Sequence, residues 1–393
     1  MRQALKHSRE ESVPASGLME CIVALSVLQM FLAATIPALK IFQVPVELLL
    51  AGLLAYKICT VRLLTEQVVL IAVFVFVTLC SFFTQDQDTF LVNAKQNGIG
   101  VLSLICFSQI NFKSRLIFPV FAATGIMILV NRVFPELMLP FISLTFDVQY
   151  NLSTFGGIFL NSHFNAFFLA IALIYYGRQR FLYGGGLLLV YIAASRFIFV
   201  SYIANLVCSW LFPRYGVPGR RFSLYAILTG LVAVLGAGLV WSDELTEILI
   251  SWNASIGETQ NSLVVIVLQL VDPAYYSALL NPIPSGVIDV SGAAKLLYLK
   301  HDGHNEIGIF SLATQSGIFL GGLYLALLLK NAPLYVAFIL VSLLHNNFIM
   351  SPLCVYMLVT YSRFNALRHG PGSKAQVLHA PVNHAQTQAT DVR

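Results

Sequence analysis

The chain has 393 residues, 58% hydrophobic and 10% charged, with a net charge of +5 and a mean hydropathy of +0.79. A soluble globular domain carries about 25% charged residues, so this composition excludes an ordinary soluble enzyme. The positive charge sits mostly in loops between apolar stretches, where it orients a membrane protein and does not suggest nucleic acid as a partner.

Apolar stretches of about eighteen residues or more recur, each long enough to cross a bilayer. Alternating ten-residue segments of a transmembrane barrel are absent. The expected fold is all-α: a polytopic membrane protein of about twelve helices, with both termini inside and a large external loop. In chain order, residues 1–17 form a cytoplasmic N-terminus. The spans fall near 18–38, 44–60, 67–83, 96–111, 116–131, 156–176, 182–194, 197–212, 222–241, 306–329, 332–348 and 352–365. Residues 366–393 are polar and without apolar periodicity, and are expected to be a disordered cytoplasmic tail. The start feeds a full-length apolar segment, and no cleavable signal peptide is expected. The six cysteines lie in or beside spans without CxxC spacing, which suggests neither disulfides nor zinc.

The loops carry the orientation. With the N-terminus inside, six of the 23 Lys and Arg fall outside (Lys40, Lys95, Arg132, Arg196, Lys295 and Lys300) and the other seventeen inside. Residues 182–212 are read as a hairpin turning near Ser195-Arg196, because one long helix would move Arg220, Arg221 and Lys330 outside. The first leg, LYGGGLLLVYIAA, is about 20 Å long at the helical rise, against a hydrocarbon core of about 30 Å. Arg196 is therefore expected below the outer surface, in protein or a wet cavity. Two outer loops are long, 132–155 and 242–305. Within the second, SLVVIVLQLV is too short to span and reads as an amphipathic or re-entrant helix.

Four spans run from outside to inside with polar entrances. Span six opens through Asn161-Ser162-His163-Phe164-Asn165, span eight through Ser195-Arg196, and span ten through His301-Asp302-Gly303-His304-Asn305-Glu306. Span twelve opens through His345-Asn346-Asn347 and then Ser351-Pro352, an N-cap followed by proline. Helix N-termini favour anions. Together with Arg196, Lys295 and Lys300 they can hold a phosphate or diphosphate. His301 or His304 can then serve as general base, with Asp302 or Glu306 orienting it or acting in its place. Each group also has a plain role: interfacial histidines cap helices, Asn and Ser cap helix starts, and arginine snorkels. His301 and His304 lack a third ligand at a recognised spacing, so no metal is expected. Glu20 and Glu47 lie near span ends, which suits interface positions; a proton relay is the functional alternative.

Three segments resemble the superfamily of Wzy-type O-antigen polymerases and O-antigen ligases: GGIFLNSHFNAFFLAIAL at 156–173, AASRFIFVSYIANLV at 193–207, and HNEIGIFSLATQSGIFLGGLYLALLL at 304–329 after the large loop. The resemblance covers about residues 156–330. It implies a metal-independent glycosyltransferase of the bacterial inner membrane, without cofactor, acting on undecaprenyl-diphosphate-linked oligosaccharides at the periplasmic face. It places Arg196 at the diphosphate and makes His304 the base or acceptor-orienting group, with His301 and Asp302 as further catalytic candidates. Substrate contacts are expected from His163, Asn165, Lys295, Lys300, Asn305, Glu306, His345 and Asn346. A chain-length regulator and a flippase are the implied protein partners. Arginine-rich outer loops seen in some members are missing. A ligase transferring glycan to lipid A-core is the alternative within the same chemistry. A lipid-linked glycan transporter is the alternative outside it, and should show inverted repeats and broken helices.

Overall fold

The computed structural model describes residues 13–34, 37–134, 136, 158–159, 162–176, 186, 188–192, 196–211, 277, 279–284, 308–343 and 348–369. These residues contain helices and no strand. The helices are α1 (Val13–Ala34), α2 (Gln43–Cys59), α3 (Thr65–Thr84), α4 (Gln87–Gln109), α5 (Ile117–Val133), α6 (Ser162–Tyr176), α7 (Arg196–Leu211), α8 (Gly308–Asn331), α9 (Val336–Ser342) and α10 (Pro352–His369). Among the described residues, α3, α4 and α8 are long and apolar enough to cross a membrane, with mean hydropathies of 2.4, 1.3 and 1.7. The expected span at 222–241 and the expected amphipathic or re-entrant helix SLVVIVLQLV of the large loop lie outside the described residues.

The outward surface is apolar. Phe76, Leu79, Phe82 and Phe83 all face out from α3, with Phe83 82% exposed. A soluble protein does not leave such a face bare; hydrocarbon would cover it. The interior is built on α4 and α10. α10 packs against α4, α6, α8 and α1, while α4 also meets α2, α3 and α8. α10 is buried on every side from Pro352 to Ser362, and α6 from Asn165 to Tyr175, as expected of helices apolar all round.

Polar contacts at helix ends sort into two sets. At one end, Gln109 donates to the Arg62 carbonyl at 3.3 Å, Gln67 to Ser108 at 2.7 Å, and the Arg115 N–H to Glu20 at 2.8 Å. Lys330 pairs with Glu66, and Arg363 reaches the Ser108 carbonyl. At the other end, Lys95 pairs with Glu47 at 2.7 Å, Arg132 donates to the Ile192 carbonyl at 2.9 Å, and the Ile309 N–H to the Leu343 carbonyl at 2.9 Å. Arg62, Arg115, Lys330 and Arg363 stand with Glu20 and Glu66 at the first end, and Lys95 and Arg132 with Glu47 at the second. Lys57 and Lys113 add to the first end and Asp86 and Asp88 to the second, which makes the first end the more basic.

Two elements differ from the sequence expectation. α4 begins at Gln87, nine residues before the expected span. The Asp86 carboxylate caps it, accepting the Thr89 N–H at 2.9 Å; its first turn is exposed at Gln87 and Asp88, and burial begins at Asn93. The expected span 332–348 contains three residues of 3-10 helix (Pro333–Tyr335) and the seven of α9. Together they are roughly 15 Å long at the helical rise, half the hydrocarbon thickness.

Two predictions follow from these local structures. Asn165 is fully buried; its side-chain oxygen accepts the Phe159 N–H at 3.1 Å and its amide donates to the Phe159 carbonyl. Asn165→Leu strands both backbone groups and lowers unfolding free energy by about 1–3 kcal/mol, measured by denaturant titration in detergent. The Thr89 N–H holds the exposed Asp86 carboxyl below the usual aspartate range. A lowered folded pKa gives stability that is present above the unfolded value and lost as pH falls through the folded one. The difference in melting temperature between wild type and Asp86→Asn therefore shrinks as pH is lowered from about 6 to about 3.

Candidate functional site

Of the residues singled out in the sequence, His301, Asp302, His304, Asn305, Glu306, Lys295, Lys300, His345 and Asn346 lie outside the described residues. Arg196 opens α7, its side chain likewise outside them. His163 is half-buried in the first turn of α6, and Asn165 is joined to Phe159 as above.

The described flanks of these entrances pack together. Phe164 of α6 meets Phe348, which precedes α10, at 4.5 Å between ring centroids. The start of α8 is bonded to the residue after α9 through Ile309 and Leu343. α7 packs along α9, with the Asn205 oxygen accepting the Phe338 N–H at 3.2 Å. The first turns of α6 and α8 and the last turn of α9 thus border the region from which α10 departs.

A second polar assembly was not anticipated, and it is built on α4. Asn93 and Asn97 are four residues apart, so they share one face of the helix. Lys95 lies between them in sequence and points elsewhere. On its side, Glu47 of α2 is 4% exposed and receives Lys95 at 2.7 Å. The other Glu47 oxygen accepts Gln43 at 2.9 Å and Gln29 at 3.3 Å. Three helices therefore surround one buried carboxylate, and its charge is matched.

On the opposite face of α4, Asn97 meets a break in α8. Gly317 has φ 67° and ψ 164°, dividing α8 into Gly308–Ser316 and a longer half from Ile318 to Asn331. It lies about 14 Å from the start of α8 at the helical rise, near mid-depth for a spanning helix. Asn97 donates to the Gln315 carbonyl at 2.7 Å and accepts from the Ser316 hydroxyl at 2.6 Å. From outside the helix, the Asn281 carbonyl accepts the Ile318 N–H at 2.9 Å. Gln85 ties the same short segment down, donating to the Pro284 carbonyl at 2.6 Å and accepting from Asn93 at 3.3 Å.

An apolar groove of about 180 Å³ opens beside the break, lined by Leu279, Ile309, Leu312, Gly317, Gly321 and Leu325 among others. The described assembly offers carboxamides, a hydroxyl and a compensated ion pair. Such groups bind and orient; they do not attack. Among the described residues no three His, Cys, Asp or Glu side chains gather as a metal site would require.

The sequence carried faint signs of this assembly. Asn93 and Asn97 stand at helical spacing, and Gly317 follows Ser316 inside an apolar run. Both are legible only if α4 is known to start at Gln87.

No family model matches the chain, and no curated protein or solved structure matches it either.

The ion pair yields a direct test. Lys95→Met leaves the Glu47 carboxylate buried without its partner and costs about 3 kcal/mol of stability. Adding Glu47→Gln removes the stranded charge and recovers most of that loss. A double-mutant cycle by denaturant unfolding in detergent reads both values.

Proposed function

We propose that this protein is a metal-independent glycosyltransferase of a bacterial cytoplasmic membrane. It polymerises undecaprenyl-diphosphate-linked oligosaccharide repeat units on the outer face, in surface polysaccharide or O-antigen biosynthesis. The observation that carries this reading is the order of polar helix entrances at 156–173, 193–207 and 304–329 around a long loop. The two sets of helix-end contacts support the alternating inside–outside order. Arg62, Arg115, Lys330 and Arg363 lie at one end, and the positive-inside rule favours assigning that end to the cytoplasmic face. Lys95 and Arg132 contact partners at the other.

The chemistry needs few groups. His304, with His301 and Asp302 beside it in sequence, takes the proton of an acceptor sugar hydroxyl. The hydroxyl oxygen bonds to the anomeric carbon of the donor glycan, and the lipid diphosphate leaves. Arg196 stabilises the departing negative charge, with Lys295 and Lys300 as additional cations. His163, Asn305, Glu306, His345 and Asn346 are the proposed substrate contacts; Asn165, buried and bonded to the Phe159 backbone, braces the entrance of α6 beside them. Diphosphate is already a good leaving group, so positioning supplies most of the rate. A ligase would run the same step with a lipid A-core acceptor.

The break at Gly317 favours a second reading. Discontinuous spans near mid-depth are a device of transporters, and α8 has one. A lipid-linked glycan flippase is therefore the rival. Reconstituted vesicles separate the two: a polymerase lengthens glycan when donor and acceptor are on one face, while a flippase moves lipid-linked units across without lengthening them.

Loss of a positioned general base costs roughly 100- to 10,000-fold in rate. His304→Ala and Arg196→Ala should each lower polymer formation from purified lipid-linked repeat units by at least about a hundredfold, at normal protein levels. Full polymer from both variants refutes the site. A cysteine at position 220 should react with an impermeant maleimide only after the membrane is opened; labelling in intact cells refutes the hairpin at Arg196.

A further inference from the structure

We infer that α8 is a two-state helix, held in its broken form by a latch made of Asn97 and the strap Asn281–Pro284. The inference stands on the geometry at Gly317 and is independent of which function holds.

A break at mid-depth frees carbonyls on one side and N–H groups on the other, and hydrocarbon cannot satisfy them. Both sides are answered here by groups from outside the helix. Asn97 donates to the Gln315 carbonyl, and the Asn281 carbonyl accepts the Ile318 N–H. If Gly317 turned to helical angles, Ile318 would donate to Thr314 and Phe319 to Gln315, four residues back in each case. One internal bond replaces each external bond, so neither form leaves those groups unpaired. That exchange is the requirement for a switch between two packed states.

The strap and the broken form require each other. A Cβ at Gly317 would stand 2.5 Å from the Pro282 carbonyl oxygen and 2.9 Å from its carbon. The strap therefore closes over the break only because residue 317 is glycine, and its positive φ is one that side-chain-bearing residues rarely adopt. Gln85 is the second anchor, gripping Pro284 from the turn before α4. Straightening α8 expels the strap, and pulling the strap away frees α8 to straighten. The latch thus couples the segment ending at Pro284 to the tilt of Gly308–Ser316.

The test is hydrogen–deuterium exchange by mass spectrometry on the full chain in lipid nanodiscs. Gly317→Ala excludes the strap, so exchange at amides of 279–283 should rise at least about tenfold while residues 308–318 become more protected. Gln85→Ala leaves Gly317 intact and removes one anchor; strap exchange should rise about threefold or more with the melting temperature little changed. Unchanged strap exchange in both variants overturns the latch. Strap exchange that rises in Gly317→Ala while 308–318 also loses protection overturns the two-state helix. If Gly317→Ala does not fold, Gln85→Ala decides alone: an unchanged strap overturns the proposal.

Discussion

In hydrocarbon every backbone N–H and C=O must find a partner within the protein. Around that constraint the described part of this molecule is arranged. Continuous helices meet it within themselves. α8 does not, because Gly317 leaves the helical region of backbone space. Its neighbours must complete what the helix gives up, and this explains the otherwise costly polar character of α4. A carboxamide at position 97 supplies both donor and acceptor in one planar group. It answers the Gln315 carbonyl and the Ser316 hydroxyl together. An aliphatic side chain there would leave a buried carbonyl without a partner at a cost of a few kcal/mol.

α4 is consequently polar on two faces. One completes the break in α8; the other sends Lys95 to a carboxylate held between α1 and α2. Its own mean hydropathy, 1.3, is the lowest of the three long apolar helices. It tolerates that because other helices surround it, and over half of its most apolar window is buried inside the protein. α3 is the contrast, at 2.4 and mostly facing outward. α6 shows that an apolar helix can equally be interior, since it is buried from Asn165 to Tyr175. The polar groups are kept for contacts between helices. At the basic end the same economy appears in aromatic form: Tyr175 stacks on Tyr361 at 4.1 Å, and Lys113 lies 5.7 Å from the Tyr175 ring.

Some of this was legible from the amino-acid order. The starts and ends of α2, α3, α7 and α8 fall within about two residues of the expected spans, because a spanning helix needs a long apolar run and little else. α4 was truncated in that reading, since QDTFLVNAKQNG has no apolar periodicity strong enough to mark a helix. Its helicity comes from the Asp86 cap and from partners on four other helices. Of the expected span 332–348 the described residues show Pro333–Ser342 as helix, and residues 344–347 lie outside them. For the candidate site, the polar entrances were visible as residue types, and Asn165 was among them. Its amide is bonded to the backbone of Phe159, a partner six residues away that no spacing rule selects.

By itself the sequence determined an all-helical chain with helices fit for a membrane, because composition and run length alone set whether a segment can leave water. It also marked where charge gathers, since ionisable side chains stay at the ends of apolar runs. Only the tertiary structure decided which polar residues are interior and what they serve. Glu47, Lys95, Asn97 and Gly317 come from three helices and more than two hundred residues of chain. Their meaning lies in satisfaction across the packing: a carboxylate needs its ammonium, and a broken helix its borrowed hydrogen bonds. Those pairings are set by distances between elements, which the linear order of residues does not contain.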